Sequence, residues 1–267
     1  MVTVTWRPRL IALDIDGTIT PVGREDVAPA VRAAIDRAVD HGAHVVLSTG
    51  RSLVGTRPIV DDLGLRGTTA ICSNGAVWWD TDSRAVVRQV AFDPGPSVER
   101  LRALLPDAVF AVEVTGVGNL SLGRFPDGDL WGDVREVTFA ELAATPTSRL
   151  VVRWVGRTPE ELALRVLDVD LPGVTASCDH TEPWLTLSPP GVTKGAALEE
   201  LRHALGVSEE DTLAIGDGSN DVEMLRWAAH GVAMGQAPVA VQEVADAVTG
   251  TILDDGAAAV LDRYFAA

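Results

Sequence analysis

The sequence holds only two cysteines in 267 residues, and Cys72 and Cys178 lie far apart with no Cys-x-x-Cys spacing. That excludes a disulfide framework or a thiolate metal cluster as the organising device. Basic residues are also scarce, 22 Lys and Arg against 38 Asp and Glu, for a net charge of -16. Nucleic acid demands a basic footprint, so it is not expected as a partner. No apolar run approaches the roughly 18 residues of a membrane span, and Met1 to Arg9 lacks the apolar segment of a secretory leader. A cytoplasmic protein without a membrane partner is the expectation. Gly191-Val-Thr-Lys194 lacks the Gly-x-x-x-x-Gly-Lys frame of a P-loop. Calcium-loop spacing fails too, because the required glycine is missing when counting from Asp14, and glycine and glutamate are both missing from Asp217. There is no internal repeat and no low-complexity segment. What remains is a chain that is 46% hydrophobic, ample for one large or two modest domains.

The stretch from Arg9 to Thr20 stands out. The short apolar run Leu10 to Leu13 reads as a buried strand, and it ends in two carboxylates, Asp14 and Asp16, followed by Gly17 and Thr18. Ionised carboxylates beside an apolar run are costly unless a metal, a cation or hydrogen-bond donors compensate them. Two readings are open at this point: an Asp-rich turn, or a magnesium and phosphate site at the carboxyl end of a parallel strand. The rhythm that follows is βα. Val27 to Asp40 carries a helical stripe; Ala43 to Leu47 is an apolar run ending in Ser48-Thr49-Gly50-Arg51. Ser52 to Leu63 reads as a helix broken or restarted at Pro58, and Thr68 to Cys72 ends in Ser73-Asn74-Gly75. Parallel strands that each end in a polar loop deliver those loops to one sheet edge, where ligands bind in open α/β sheets.

A hairpin over Ala76 to Val90 and a breaker at Phe92-Asp-Pro-Gly-Pro-Ser97 precede a region that reads as an inserted α+β unit. Its expected elements are a helix near Val98 to Leu105, strands near Val109 to Val114 and Leu150 to Val155, a helix near Pro159 to Leu167, and short strands around Val174 and Leu185. Arg149 and Arg153 read as a solvated sheet face and Trp184 as a core ring; Trp78 and Trp79 read as one core ring and one hinge ring. The βα rhythm resumes with a helix over Lys194 to Leu205 and a strand over Thr212 to Ile215. That strand runs into Gly216-Asp217-Gly218-Ser219-Asn220-Asp221, which on its own could be a capping turn.

Asp14-x-Asp16-Gly17-Thr18, Ser48-Thr49-Gly50-Arg51, Lys194 and Gly216-Asp217-Gly218-Ser219-Asn220-Asp221, in that order and each at a strand end or helix start, resemble the haloacid dehalogenase superfamily. Ser73-Asn74-Gly75-Ala76 and Gly231-Val-Ala-Met-Gly235 resemble its Cof-like branch, which carries a large α/β (type IIB) cap. The resemblance implies a Rossmann-like three-layer α/β core with a mainly parallel sheet, from residues 1–90 and 188–267, and an inserted α+β cap from 91–187. It implies a Mg²⁺-dependent phosphatase of a small phosphorylated metabolite, such as a sugar phosphate, acting as a monomer or small homo-oligomer. Asp14 would be the nucleophile that forms an acyl-phosphate, and Asp16 the proton carrier. Asp14, the Asp16 backbone carbonyl, Asp217 and Asp221 (direct or through water) would hold the metal. Ser48, Thr49, Gly50, Lys194 and Asn220 would bind phosphate; Arg51 and Asn74 touch substrate or brace the loops. An acid at Asp16 favours phosphate ester hydrolysis over dehalogenation. Gln236 stands where the branch usually has Asn. Alternatives are a phosphotransferase using the same intermediate, or a catalytically silent ligand-binding protein on this fold.

Overall fold

The computed structural model describes residues 6–266, so the start of the Met1–Arg9 stretch and Ala267 lie outside the described residues. The first half of the core runs β1 (Leu10–Leu13), α1 (Pro29–Asp40), β2 (His44–Leu47), α2 (Leu53–Leu63), β3 (Thr69–Cys72), β4 (Val77–Asp80) and β5 (Val86–Gln89). In α1 a proline opens the first turn, where no backbone donor is needed, and Val31, Ala34, Ile35 and Ala38 form the buried stripe. Helix α2 is capped by Ser52, whose hydroxyl accepts from the Gly55 N–H, and stops at Gly64, with φ of 64°. Pro58 lies inside α2 without breaking it, contrary to the sequence expectation.

The chain then builds a second sheet from α3 (Gly95–Leu104), β6 (Val109–Val114), β7 (Gly118–Leu122), β8 (Asp133–Glu136), α4 (Phe139–Ala143), β9 (Leu150–Arg153), α5 (Pro159–Val166), β10 (Thr175–Cys178) and β11 (Trp184–Ser188). Helix α3 starts inside the supposed breaker, because Pro96 falls in the first turn, where proline is tolerated. β7, β8 and α4 have no counterpart in the sequence reading; β8 is exposed throughout and carries no apolar alternation. The chain returns through α6 (Lys194–Leu205), β12 (Thr212–Gly216), α7 (Val222–Trp227), β13 (His230–Ala233), α8 (Val239–Gln242), β14 (Ala247–Val248) and α9 (Gly256–Phe265).

The core sheet has the order β14-β13-β12-β1-β2, all parallel, and a parallel bridge from Ser48 to Ile71 continues it into the antiparallel β3-β4-β5 sheet. Side chains alternate across it. Ile11, Leu13, Val45 and Leu47 face the cluster that includes Ile35 of α1, Ile59 of α2 and Phe265 of α9; Leu10, Ala12 and Val46 face Leu198 of α6 and Met224 of α7. Two opposite apolar faces give three layers, an α/β core with a mainly parallel sheet. Trp79 and Trp78 pack into these two clusters respectively, so both rings are core and neither is hinge packing.

The second sheet has the order β10-β11-β9-β6-β7-β8, antiparallel except for β7 with β8. Phe110, Val112, Leu150, Val152, Leu185 and Leu187 pack against Leu101 of α3 and Leu162 of α5. The opposite parity (Glu113 on β6, Arg149 and Arg153 on either side of Val151) lies on the other face. That face meets the carboxyl ends of β1, β2 and β3.

Candidate active site

The loops after β1, β2, β3 and β12 converge at one edge. Asp14 follows β1 directly, and its N–H donates to the Ile215 carbonyl at 3.0 Å. Lys194 opens α6, capped by Thr193. Its ammonium donates to Asp14 Oδ1 and to Asp221 Oδ1, both at 2.6 Å, and its side chain is fully buried. Asp221 spends its other oxygen on the N–H groups of Asp217 at 3.0 Å and Gly218 at 2.9 Å. Asp14, Asp217 and Asp221 offer carboxylate oxygens that all lie within 4.8 Å of one another. Gly17, at φ of 77°, makes this approach feasible, since a Cβ there would collide with the Asp217 carboxylate.

Three buried carboxylates face one ammonium, and the imbalance shows in their acidities. Burial, then the Asp221 charge, push Asp217 up to about 7. Burial, with Asp221 adding to it, also raises Asp14 well above the carboxylate range, against the pull of Lys194. For Lys194, burial opposes the charge, but Asp14 and Asp221 outweigh it and hold the ammonium charged. An all-oxygen donor set short of positive charge fits a hard divalent cation.

Asp16 is placed differently. Arg51 holds it bidentately, Nε to Oδ2 at 2.7 Å and Nη2 to Oδ1 at 2.6 Å, and the Gly23 N–H donates to Oδ1 at 2.9 Å. Arg51 therefore braces the acid, and it also lines a cavity beside it. Its guanidinium also lies 5.2 Å from the Trp131 ring centroid. Ser48 and Thr49 are fully buried beneath the loop. Among the described residues the hydroxyls of Ser48 and Thr18 are buried without a hydrogen-bond partner. Asn220 donates to Asn74 Oδ1 at 3.0 Å, which ties the last loop to the one after β3.

The cavity, of about 340 Å³, is bordered by Asp14, Asp16, Arg51 and Asp217 on one side and Asp129, Arg153, Glu182 and Trp184 on the other. Arg149 is not a solvated face: it is buried, donates to the Gly50 carbonyl at 3.1 Å and pairs with Glu113 at 3.5 Å. Trp184 lines the cavity and also packs edge-on to Phe125 against the small cluster of Ala111 and Val151. Two further residues have partners at the site that the sequence reading did not assign. Gln236 donates to the Gly17 carbonyl at 2.5 Å and approaches Asp217 Oδ2 at 3.4 Å. Glu113 accepts from the Leu53 N–H at 3.3 Å and the Ser73 hydroxyl at 2.5 Å. A lone acid inside the apolar run of β6 was the signal for Glu113; nothing local marked Gln236 as a partner of Asp217.

The sequence model of the haloacid dehalogenase-like hydrolases matches residues 11–104 and 167–261. The chain belongs to that family. Full-length relatives are phosphatases. A 5-amino-6-(5-phospho-D-ribitylamino)uracil phosphatase of Bacillus subtilis is 29% identical, covering 96% of this chain and 95% of the relative. A phosphoglycolate phosphatase of Methanoculleus marisnigri is 31% identical, covering 96% and 97%. A pyridoxal phosphate phosphatase of Escherichia coli is 29% identical, covering 94% and 96%. A solved phosphatase of the superfamily from Bacteroides thetaiotaomicron superposes with a TM-score of 0.79 at 26% identity, covering 99% and 97% of the two chains. A solved subclass IIB sugar phosphatase shares the fold with a TM-score of 0.80 at 22% identity, covering 96% and 98%. The chain is thus a Cof-like hydrolase of this superfamily. Among the described residues no helix is long and apolar enough to cross a membrane.

Proposed function

We propose that the protein hydrolyses the phosphate monoester of a small metabolite with the help of Mg²⁺, through a covalent phosphate on Asp14. The observation that carries this is the Lys194 ammonium shared between Asp14 and Asp221 at 2.6 Å, with Asp217 close by, at the edge of the cavity. Asp14 and Asp217, with the Asp16 backbone carbonyl, would hold the metal directly. Asp221 has both oxygens committed to Lys194 and to backbone N–H groups, which favours contact through water. When bound, Mg²⁺ supplies the positive charge that keeps the carboxylates ionised and neutralises phosphoryl oxygens.

Asp14 attacks phosphorus in line, the ester P–O bond breaks, and Asp16 gives its proton to the departing oxygen. Asp16 then takes a proton from water, whose oxygen attacks phosphorus and expels the Asp14 carboxylate, releasing inorganic phosphate. Arg51 and the Gly23 N–H orient Asp16 at the cavity wall. Lys194 secures Asp14 and adds charge near the phosphoryl group. Ser48 supplies an unused hydroxyl, with the amides of Thr49 and Gly50 beside it, and Asn220 completes the phosphate shell. Residues 91–187 act as the cap that selects the leaving group, and 1–90 with 188–267 as the catalytic core. The test is turnover of p-nitrophenyl phosphate. It should require Mg²⁺, vanish with chelator, and vanish in Asp14→Asn; wild-type rates in that variant would refute the nucleophile.

A further inference from the structure

The half of the cavity remote from Asp14 is built from the second sheet and its loops: Asp129 and Trp131 before β8, Arg153 at the end of β9, and Asp179, Glu182 and Trp184 around the β10–β11 turn. Its charges do not balance. Arg149 is committed to Glu113 and the Gly50 carbonyl. Arg153 is shared by two carboxylates, Nε to Asp129 at 3.1 Å and Nη2 to Glu182 at 2.7 Å. Asp179 adds a third carboxylate, turned on the N–H groups of Thr181 at 2.6 Å and Glu182 at 3.0 Å, with no ion pair among the described residues. On the core side Arg51 is neutralised by Asp16. At the Lys194 end a bound divalent ion together with the ammonium would balance Asp14, Asp217 and Asp221, so the negative excess stays in the far half. The Nη1 of Arg153, by contrast, is a buried donor with no partner, among the described residues. It can serve a hydroxyl or a carbonyl, while Trp131 and Trp184 offer apolar ring surface.

Building on the phosphatase reading above, we propose that the cavity selects a phosphate ester whose leaving group is uncharged, such as a polyol or a neutral ring, and discriminates against one bearing a second anion. The phosphate is drawn to the metal and Lys194, and a carboxylate at the far end meets three carboxylates around one already shared guanidinium. Glu182 is half exposed, at 53% of its side chain, so the field at its end of the wall is weakened by salt.

The experiment compares ribitol 5-phosphate with 5-phosphoribonate, which differ only in a terminal CH₂OH against a carboxylate. With the full-length wild-type enzyme and Mg²⁺, kcat/KM should favour the alcohol by about tenfold or more, a difference of roughly 1.4 kcal/mol in transition-state binding. Glu182→Gln and Asp129→Asn, which release Arg153, should each narrow that ratio several-fold, and higher ionic strength should narrow it in the wild type. Equal or better turnover of the acid, or a ratio unmoved in both variants, would overturn the proposal. Binding of the same pair to Asp14→Asn with Mg²⁺, read by calorimetry, separates the two levels. Alcohol-selective binding without any p-nitrophenyl phosphate turnover in the wild type would sink the phosphatase reading and leave the selectivity standing. Turnover without selectivity would do the reverse.

Discussion

Lys194 is the only lysine in the chain; the other 21 of its 22 basic residues are arginine. The place where it stands explains the choice. A compact ammonium donates to two carboxylates at 2.6 Å in a fully buried position, where a planar guanidinium would need more room and a different fork of acceptors. Lys194→Arg should therefore lose activity despite keeping the charge. Lys194→Met should also unfold more easily, by about 3–5 kcal/mol in chemical denaturation without metal, because it strands two buried carboxylates. Wild-type stability in Lys194→Met would show that the pair is not structural. Asp16 offers a contrasting case. It faces the cavity with 31% of its side chain exposed, and its orientation comes from Arg51. Arg51→Lys should cut kcat for a poor leaving group more than for p-nitrophenolate, which needs little protonation. An equal loss for both would remove Arg51 from the proton-transfer step and leave it a loop brace.

At the scale of elements, the contact between β6, β9 and the core loops is polar and buried. Glu113 gathers the Leu53 N–H, the Ser73 hydroxyl and Arg149, and Arg149 reaches the Gly50 carbonyl. Glu113 and Arg149 are only 3% and 6% exposed, so neither can lose its partner to water. Burial presses the Arg149 guanidinium below its usual range, with Glu113 opposing the shift. Glu113→Ala should cost about 3–5 kcal/mol by leaving Arg149 buried and uncompensated. The double replacement Glu113→Leu with Arg149→Met should recover much of that stability. If the single and double variants melt alike, the pair contributes nothing as a pair. Because the loop carrying Gly50 borders the site, the single variant should also raise KM.

For the whole molecule, the metal-free site couples folding to pH. Folding raises Asp217 from an ordinary 3.8 to about 7, and burial raises Asp14 in the same direction. Between those values the folded chain binds more protons than the unfolded one, so stability present at low pH is lost as pH rises toward 7. With chelator, Tm should fall from pH 5 to pH 8. Mg²⁺ should restore it, and restore it more at pH 8, where the carboxylates no longer hold protons; at one hundred times Kd the ion adds about 2.7 kcal/mol. A Tm that rises with pH in chelator would contradict the carboxylate cluster. Gly17→Ala should mimic this loss at constant pH, since its Cβ displaces Asp217 and its backbone would sit in the left-handed region.

Much of the core was legible in the sequence because its signals are local. Leu10–Leu13, Thr212–Ile215 and the helical stripe ending at Asp40 announce themselves through apolar period and bounding polar loops. The motifs at their ends named the family. Exposed β8 and short β7 were missed because pairing with neighbours, and not a local pattern, makes them strands. Pro58 was overread, as the surrounding helix tolerates it. At the site, residue types drew attention to the carboxylates at the strand ends, but only folding gave them different partners. It set Asp14 against Lys194 and Asp16 against Arg51, and it brought Gln236 to the Gly17 carbonyl across 219 positions. The far wall of the cavity was least legible, because its charge balance depends on which arginine meets which carboxylate. Arg149, just before β9, and Arg153, at its end, stand four residues apart with the same local pattern, yet one braces the core loop and the other lines the cavity beside Asp129. Long-range electrostatics and packing, which a linear pattern does not encode, made that division.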